Sequence, residues 1–181
     1  SEGSNMTVPS HARAVIIGGG VVGCSIAYHL GKLGWRDVVL LERKQLTCGT
    51  TWHAAGLIAQ LRATQNMTRL AKYSQELYFD LEAETGVATG FKRNGSITVA
   101  LTDERMEELR RSAAMARAFG VEIDEISPSD IASRYPGLSV DDAVGGVWLP
   151  KDGQADPVNI TQALAKGCLL YTSPSPRDVH L

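Results

Sequence analysis

The chain has 181 residues, with 18 Lys and Arg against 20 Asp and Glu, a formal charge of −2. With 44% hydrophobic and 21% charged residues, it has the composition of a globular protein, and of neither a disordered nor a fibrous chain. This balance leaves no electrostatic footprint for nucleic acid, and no apolar run approaches the ~20 residues needed to span a bilayer.

Residues 1–11 read as a lead into the fold. Met6 stands as a candidate start, and neither a signal pattern nor an Arg-rich presequence precedes the first strand. Residues 12–18 form a β-branched apolar run closed by glycine, which predicts a buried strand. Residues 21–33 carry apolar side chains at helical spacing, with Gly34 as the stop. Cys24 falls in that helix as a small core residue. Residues 37–42 predict a second buried strand, and residues 43–51 a loop. A long amphipathic helix follows over 66–84, ended by Gly86. Within it Tyr73, Tyr78 and Phe79 read as a core stripe. Strand patterns cover 96–101, 121–123 and 145–149. Helices are expected over 102–119, over 127–135 with Pro128 in the first position, and over 156–166. Asp156 caps the last of these, and Asp152 organises the turn before it. Strand–helix–strand followed by mixed elements predicts an α/β fold. We expect a Rossmann-like βαβ domain with a parallel sheet, incomplete, and the start of a mixed α+β substrate domain.

Residues 12–167 are taken as one functional segment. Residues 168–181 (Cys-Leu-Leu-Tyr-Thr-Ser-Pro-Ser-Pro-Arg-Asp-Val-His-Leu) lose periodicity at Pro174 and Pro176 and resemble translated sequencing adapter; a natural Ser/Pro-rich linker is the alternative. Cys24, Cys48 and Cys168 show no CxxC spacing and no His partner at metal-ligand spacing, so neither a disulfide scaffold nor a zinc site is expected.

The chemistry starts at the first strand–helix turn. Gly18-Gly19-Gly20-Val21-Val22-Gly23 fits G-x-G-x-x-G between a strand and a helix. Gly18 permits the tight turn, Gly20 lets the backbone approach a pyrophosphate, and Gly23 lets helix and strand pack closely. Glu42, at the end of the second strand, stands where an acid accepts hydrogen bonds from an adenosine ribose. At Arg43, adenine or phosphate contact and a plain surface position are both open. The small and hydroxyl residues that follow, with Thr50, Thr51 and Gly56 among them, suit a loop wrapping a long extended cofactor. Trp52 is assigned to the core rather than to a flavin face; His11 is assigned to solvent, and His29 to packing or surface rather than catalysis.

The run Gly49-Thr50-Thr51-Trp52-His53-Ala54-Ala55-Gly56 resembles the sarcosine and dimethylglycine dehydrogenases, D-amino-acid-oxidase-like flavoproteins. Glu84-Thr85-Gly86, Asn94-Gly95-Ser96-Ile97 and Asp152-Gly153-Gln154-Ala155-Asp156-Pro157 extend that resemblance over about residues 13–167. The resemblance implies FAD, with His53 attached to the flavin 8α-carbon; the alternative is a His53 that hydrogen-bonds backbone or phosphate. It further implies N-demethylation of sarcosine or dimethylglycine by hydride transfer to flavin, with an electron-transfer flavoprotein or another acceptor as partner. Tetrahydrofolate would bind only in a later domain absent from this chain, and the chain alone should be inactive. The alternatives are a non-catalytic relative like the pyruvate dehydrogenase phosphatase regulatory subunit, and another flavin amine or amino-acid oxidase. The expected compartment is a bacterial cytoplasm, with the mitochondrial matrix as the alternative.

Overall fold

Ala14–Ile17 has the β-branched residues that favour extended backbone, and it forms β1, hydrogen-bonded in parallel to β2 (Val38–Leu41). Between them lies α1 (Val21–Lys32). The computed structural model describes residues 9–172. After β2 come a 3-10 turn (Thr51–His53), β3 (Leu57–Ile58), α2 (Gln65–Thr85), β4 (Ser96–Ala100), α3 (Asp103–Ala118) and β5 (Asp124–Ile126). The chain continues with α4 (Pro128–Arg134), β6 (Gly145–Leu149), β7 (Gly153–Gln154) and α5 (Pro157–Thr172). Contacts divide this α/β fold into two units, one of residues up to Ala55 with Leu81–Thr89 and the segment from Asp156, the other of Gly56–Asp80 and Gly90–Ala155.

In the first unit α1 packs on β1, β2 and α5. Cys24, Ala27 and Tyr28 are its buried side chains. A Cβ on Gly167 would stand 2.7 Å from the Tyr28 ring, so glycine is what lets α5 lie this close to α1. Burial pushes the Cys24 thiol up to about 11, so it stays protonated and packs as a small hydrophobe. The Tyr28 hydroxyl donates to both Glu84 oxygens, at 2.9 and 2.8 Å. Asp156 caps α5 by accepting from the Val158 and Asn159 N–H groups, at 2.8 and 3.0 Å.

The second unit holds the antiparallel sheet β4–β6–β5 and the antiparallel pair β3–β7. α3 lays Met106, Leu109, Ala113 and Ala116 against Ala100, Val147 and Leu149. Each large side chain so buried stabilises by about 1.5–3 kcal/mol. Thr102 caps α3 through the Arg105 N–H, and a Ser127–Asp130 capping box starts α4.

Four expectations need correction. Neither expected buried strand is buried on both faces: on β1 Ile16 faces inward while Val15 and Ile17 are 56% and 87% exposed, and β2 is half-buried with Leu41 exposed, because α1 covers one side only of a two-stranded sheet. The strand expected over 121–123 lies at Asp124–Ile126. Val121 and Ile123 are instead buried in the core as the chain enters the ladder, which begins at Asp124 opposite Trp148. The aromatic stripe on α2 holds only at Tyr78, which is half-buried: Tyr73 and Phe79 are exposed, and the fully buried side chains of α2 are Thr68, Gln75, Leu77 and Leu81. Phe79 meets Phe91 edge-on and carries the Arg93 guanidinium over its ring. Finally α5 continues to Thr172 rather than ending at Lys166: Gly167 is held within the helix by its close packing on Tyr28, and the first proline comes only at 174. Pro174 and Pro176 lie outside the described residues. Among the described residues, no helix is long and apolar enough to cross a membrane.

Candidate functional site

The chain leaves β1 at Gly18, where φ is +107°, and turns directly into α1. A Cβ on Gly23 would lie 2.0 Å from the Gly18 carbonyl oxygen, so only hydrogen fits between turn and helix. Gly20 is the helix N-cap with extended backbone, and having no side chain it caps nothing. The Val21 N–H is instead taken by the Thr51 hydroxyl at 3.0 Å. The next two donors, the Val22 and Gly23 N–H groups, have no acceptor among the described residues. No acid occupies the first turn of α1. Open donors, a positive dipole end and empty space around the Cβ position of Gly18 form a cradle that fits a phosphate.

Glu42 follows β2 and closes one side of this turn. Its Oε2 accepts the Gly19 N–H at 2.7 Å, and its Oε1 accepts the Lys44 N–H at 3.1 Å. The Cys48 thiol donates to Oε1 at 3.8 Å. The Gly19 N–H, then that of Lys44, hold the Glu42 carboxyl below the usual carboxylate range. An ionised, acceptor-only carboxylate beside a phosphate cradle suits the vicinal hydroxyls of a ribose.

The structure therefore brings Gly18, Gly20, Gly23, Glu42 and Thr51 together in the first unit. Arg43 is exposed on the following loop. Thr50 is exposed, and its carbonyl accepts the His53 N–H at 3.1 Å. His53 ends the 3-10 turn, exposed, with its ring 3.9 Å from that of Trp52. Trp52 is 57% exposed and so is not a core residue: the turn points it away from the first unit's interior. Gly56 belongs to the second unit, where its carbonyl accepts the Ala155 N–H at 2.9 Å.

Sequence reasoning passed over three residues of this turn. A Cβ on Gly19 would meet a Leu46 methyl at 2.5 Å, and the Gly19 carbonyl accepts the Thr47 N–H at 2.9 Å. Thr47 is buried and holds φ at 71°, a left-handed conformation unusual for threonine. The third glycine of Gly18-Gly19-Gly20 was the available signal; Leu46 and Thr47 carried none. The second unit separately contains a cleft of about 420 Å³ lined by Leu57, Ile58, Ile97, Val99, Tyr135 and Asp152, also unforeseen.

A sequence family described as "FAD dependent oxidoreductase" matches residues 13–170. Mouse mitochondrial sarcosine dehydrogenase is 40% identical over 169 residues, 93% of this chain and 18% of that protein. Rat mitochondrial dimethylglycine dehydrogenase is 44% identical over 160 residues, 88% of this chain and 19% of its own length. The mouse mitochondrial pyruvate dehydrogenase phosphatase regulatory subunit is 39% identical over 165 residues, 91% and 19% of the two chains. The chain thus spans about a fifth of the length of these relatives. Among solved structures, L-proline dehydrogenase from P. horikoshii superposes with a TM-score of 0.84 at 30% identity, over 91% of this chain and 43% of that one.

Proposed function

The chain belongs to the FAD dependent oxidoreductase family, and on that premise we propose that it is the N-terminal part of an enzyme that oxidatively demethylates sarcosine or dimethylglycine. The observation that carries this reading is the joining of an open phosphate cradle and an ionised Glu42 to a loop that presents His53 to solvent. Identities of 40% and 44% to the two dehydrogenases support the substrate class.

In this reading Gly18, Gly20 and Gly23 admit the pyrophosphate to the α1 N-terminus, and Glu42 holds the ribose. Arg43 meets the adenine or phosphate end, while Thr50, Thr51 and Gly56 line the extended remainder. His53 carries the flavin covalently at its 8α-carbon. Bound FAD supplies the redox chemistry, taking two electrons from the C–H bond of an N-methyl group. Most of the amine pocket and the folate domain belong to chain that residues 12–167 do not include. Residues 168–181 are assigned to a non-native tail. The host compartment is a bacterial cytoplasm, with the mitochondrial matrix as the alternative.

The test is anaerobic flavin reduction in the complete polypeptide. Bleaching of the flavin band by sarcosine or dimethylglycine is the expected result. A flavin that neither substrate reduces would favour a regulatory protein, a reading supported by the 39% identity to the phosphatase regulatory subunit. Reduction by other amines or amino acids only would point to a different flavin oxidase.

A further inference from the structure

The loop that presents His53 is tied to the phosphate turn at two points. At its start, buried Thr47 donates its N–H to the Gly19 carbonyl at 2.9 Å. At its end, the Thr51 hydroxyl accepts the Val21 N–H at 3.0 Å. A helix is normally capped by the residue preceding it. Here that residue is Gly20, and the cap comes from the Thr51 side chain, thirty positions beyond the Val21 N–H that it accepts. Thr51 is 9% exposed, and the Cβ position of Gly20 lies 3.0 Å from its oxygen, so a side chain on Gly20 would crowd the hydroxyl. Thr51 is also the first residue of the 3-10 turn that ends at His53, and its carbonyl accepts the Ala54 N–H at 3.1 Å. Of the two ties, the Thr51 side chain is the one that joins the phosphate turn directly to the turn bearing His53.

We propose that Thr51 is a positioning residue for flavin attachment: by capping α1 from the His53 turn, it sets where the imidazole stands relative to the pyrophosphate cradle. The proposal rests on the assignment of His53 as the attachment site. In that step a ring nitrogen of His53 bonds to the 8α-carbon, and each partner loses one hydrogen. The two electrons and two protons released reduce the flavin, and dioxygen then reoxidises it, giving hydrogen peroxide. Reacting atoms must be held within a few tenths of an ångström of productive geometry, and loss of a positioning contact commonly slows such a step tenfold or more.

The experiment follows the rate of acid-stable flavin formation in the complete polypeptide, expressed without flavin and then supplied with saturating FAD. Saturation removes any effect of Thr51 on affinity. Thr51→Val keeps the shape and deletes the hydroxyl; it should attach flavin at least about tenfold more slowly, and Thr51→Ser should restore the rate. Attachment by Thr51→Val at the wild-type rate would overturn the proposal. Should Thr51→Val not fold, hydrogen exchange of the wild-type apoprotein decides. The Val21 amide is expected to exchange at least about tenfold more slowly than that of Val22, and equal rates would overturn the cap. His53→Ala separates the two assignments. If it retains acid-stable flavin, or if the wild type forms none, the error lies in His53 and the positioning role falls with it; a fast Thr51→Val beside a flavin-free His53→Ala places the error in Thr51 alone.

Discussion

Glu42 keeps its charge through backbone N–H groups rather than through a cation, and this gives it a definite pH signature. The Gly19 and Lys44 N–H groups stabilise the carboxylate in the folded chain only, so its folded pKa lies below the unfolded value of about 4.3. A group with a depressed folded pKa stabilises fully above the unfolded pKa, and that contribution is lost as pH falls through the folded one. Glu42→Gln keeps the shape but cannot titrate. The unfolding midpoint of the wild type should therefore exceed that of Glu42→Gln by a constant margin above about pH 5, and the margin should close below about pH 4. A margin unchanged at pH 3 would mean that the turn uses the shape of the side chain and not its charge. The same ionised state is what a ribose needs, so affinity for an adenosine-containing ligand should follow the same acid limb.

At the scale of elements, β3 and β7 have two residues each, too few to stabilise themselves through their ladder. A buried polar network ties them down. Asp152 Oδ1 accepts the Gln60 N–H at 2.9 Å, and Oδ2 accepts the Ser96 hydroxyl at 2.7 Å. The Gln60 amide donates to Gln75 of α2, whose own amide donates to the Lys151 carbonyl. Asp152→Ala would leave the buried Gln60 N–H without a partner and remove the acceptor of the half-buried Ser96 hydroxyl, a cost of about 1–3 kcal/mol. Asp152→Asn keeps an acceptor and should lose about half as much. Denaturant unfolding of the two variants checks this, and equal midpoints for wild type and Asp152→Ala would show that the network holds nothing. The network also explains what sequence could reveal. Elements whose signals are local were readable: Gly145–Leu149, the Thr102 and Ser127 caps, the glycine turn with Glu42. β3, β7 and the true position of β5 were not, because partners distant in sequence create them. Exposure of Trp52, Tyr73 and Phe79 was likewise illegible, since an aromatic residue at helical spacing looks the same whether or not anything covers it. The latch of Thr47 and Leu46 on Gly19 has no local pattern at all.

At the scale of the whole chain, the first unit exposes more apolar surface than a parallel sheet tolerates. Val15 and Ile17 lie bare on β1, and Val22, Ile26 and Leu33 are exposed along α1. Parallel strands are ordinarily covered on both faces, because water competes for the backbone and gains nothing from Val and Ile side chains. Scattered apolar residues need no explanation, but runs of them, here on the uncovered face of β1 and on the outer side of α1, mark surfaces meant for cover. The relatives are about five times longer than this chain, and in them polypeptide is available to provide that cover. Residues 12–167 produced alone should therefore bind a hydrophobic dye and self-associate with rising concentration. The double variant Ile17→Lys and Leu33→Lys should reduce both effects in the isolated segment, since each charge is added where the side chain is already in solvent. In the complete polypeptide the same pair should do the opposite. Burying a lysine there would cost several kcal/mol, lowering the unfolding midpoint and the flavin content together. Dye binding by the isolated segment and sedimentation of both forms separate these outcomes. If the isolated segment is monomeric and dye-free while the long form tolerates both lysines, these surfaces are solvent-exposed in the native protein and no further polypeptide covers them.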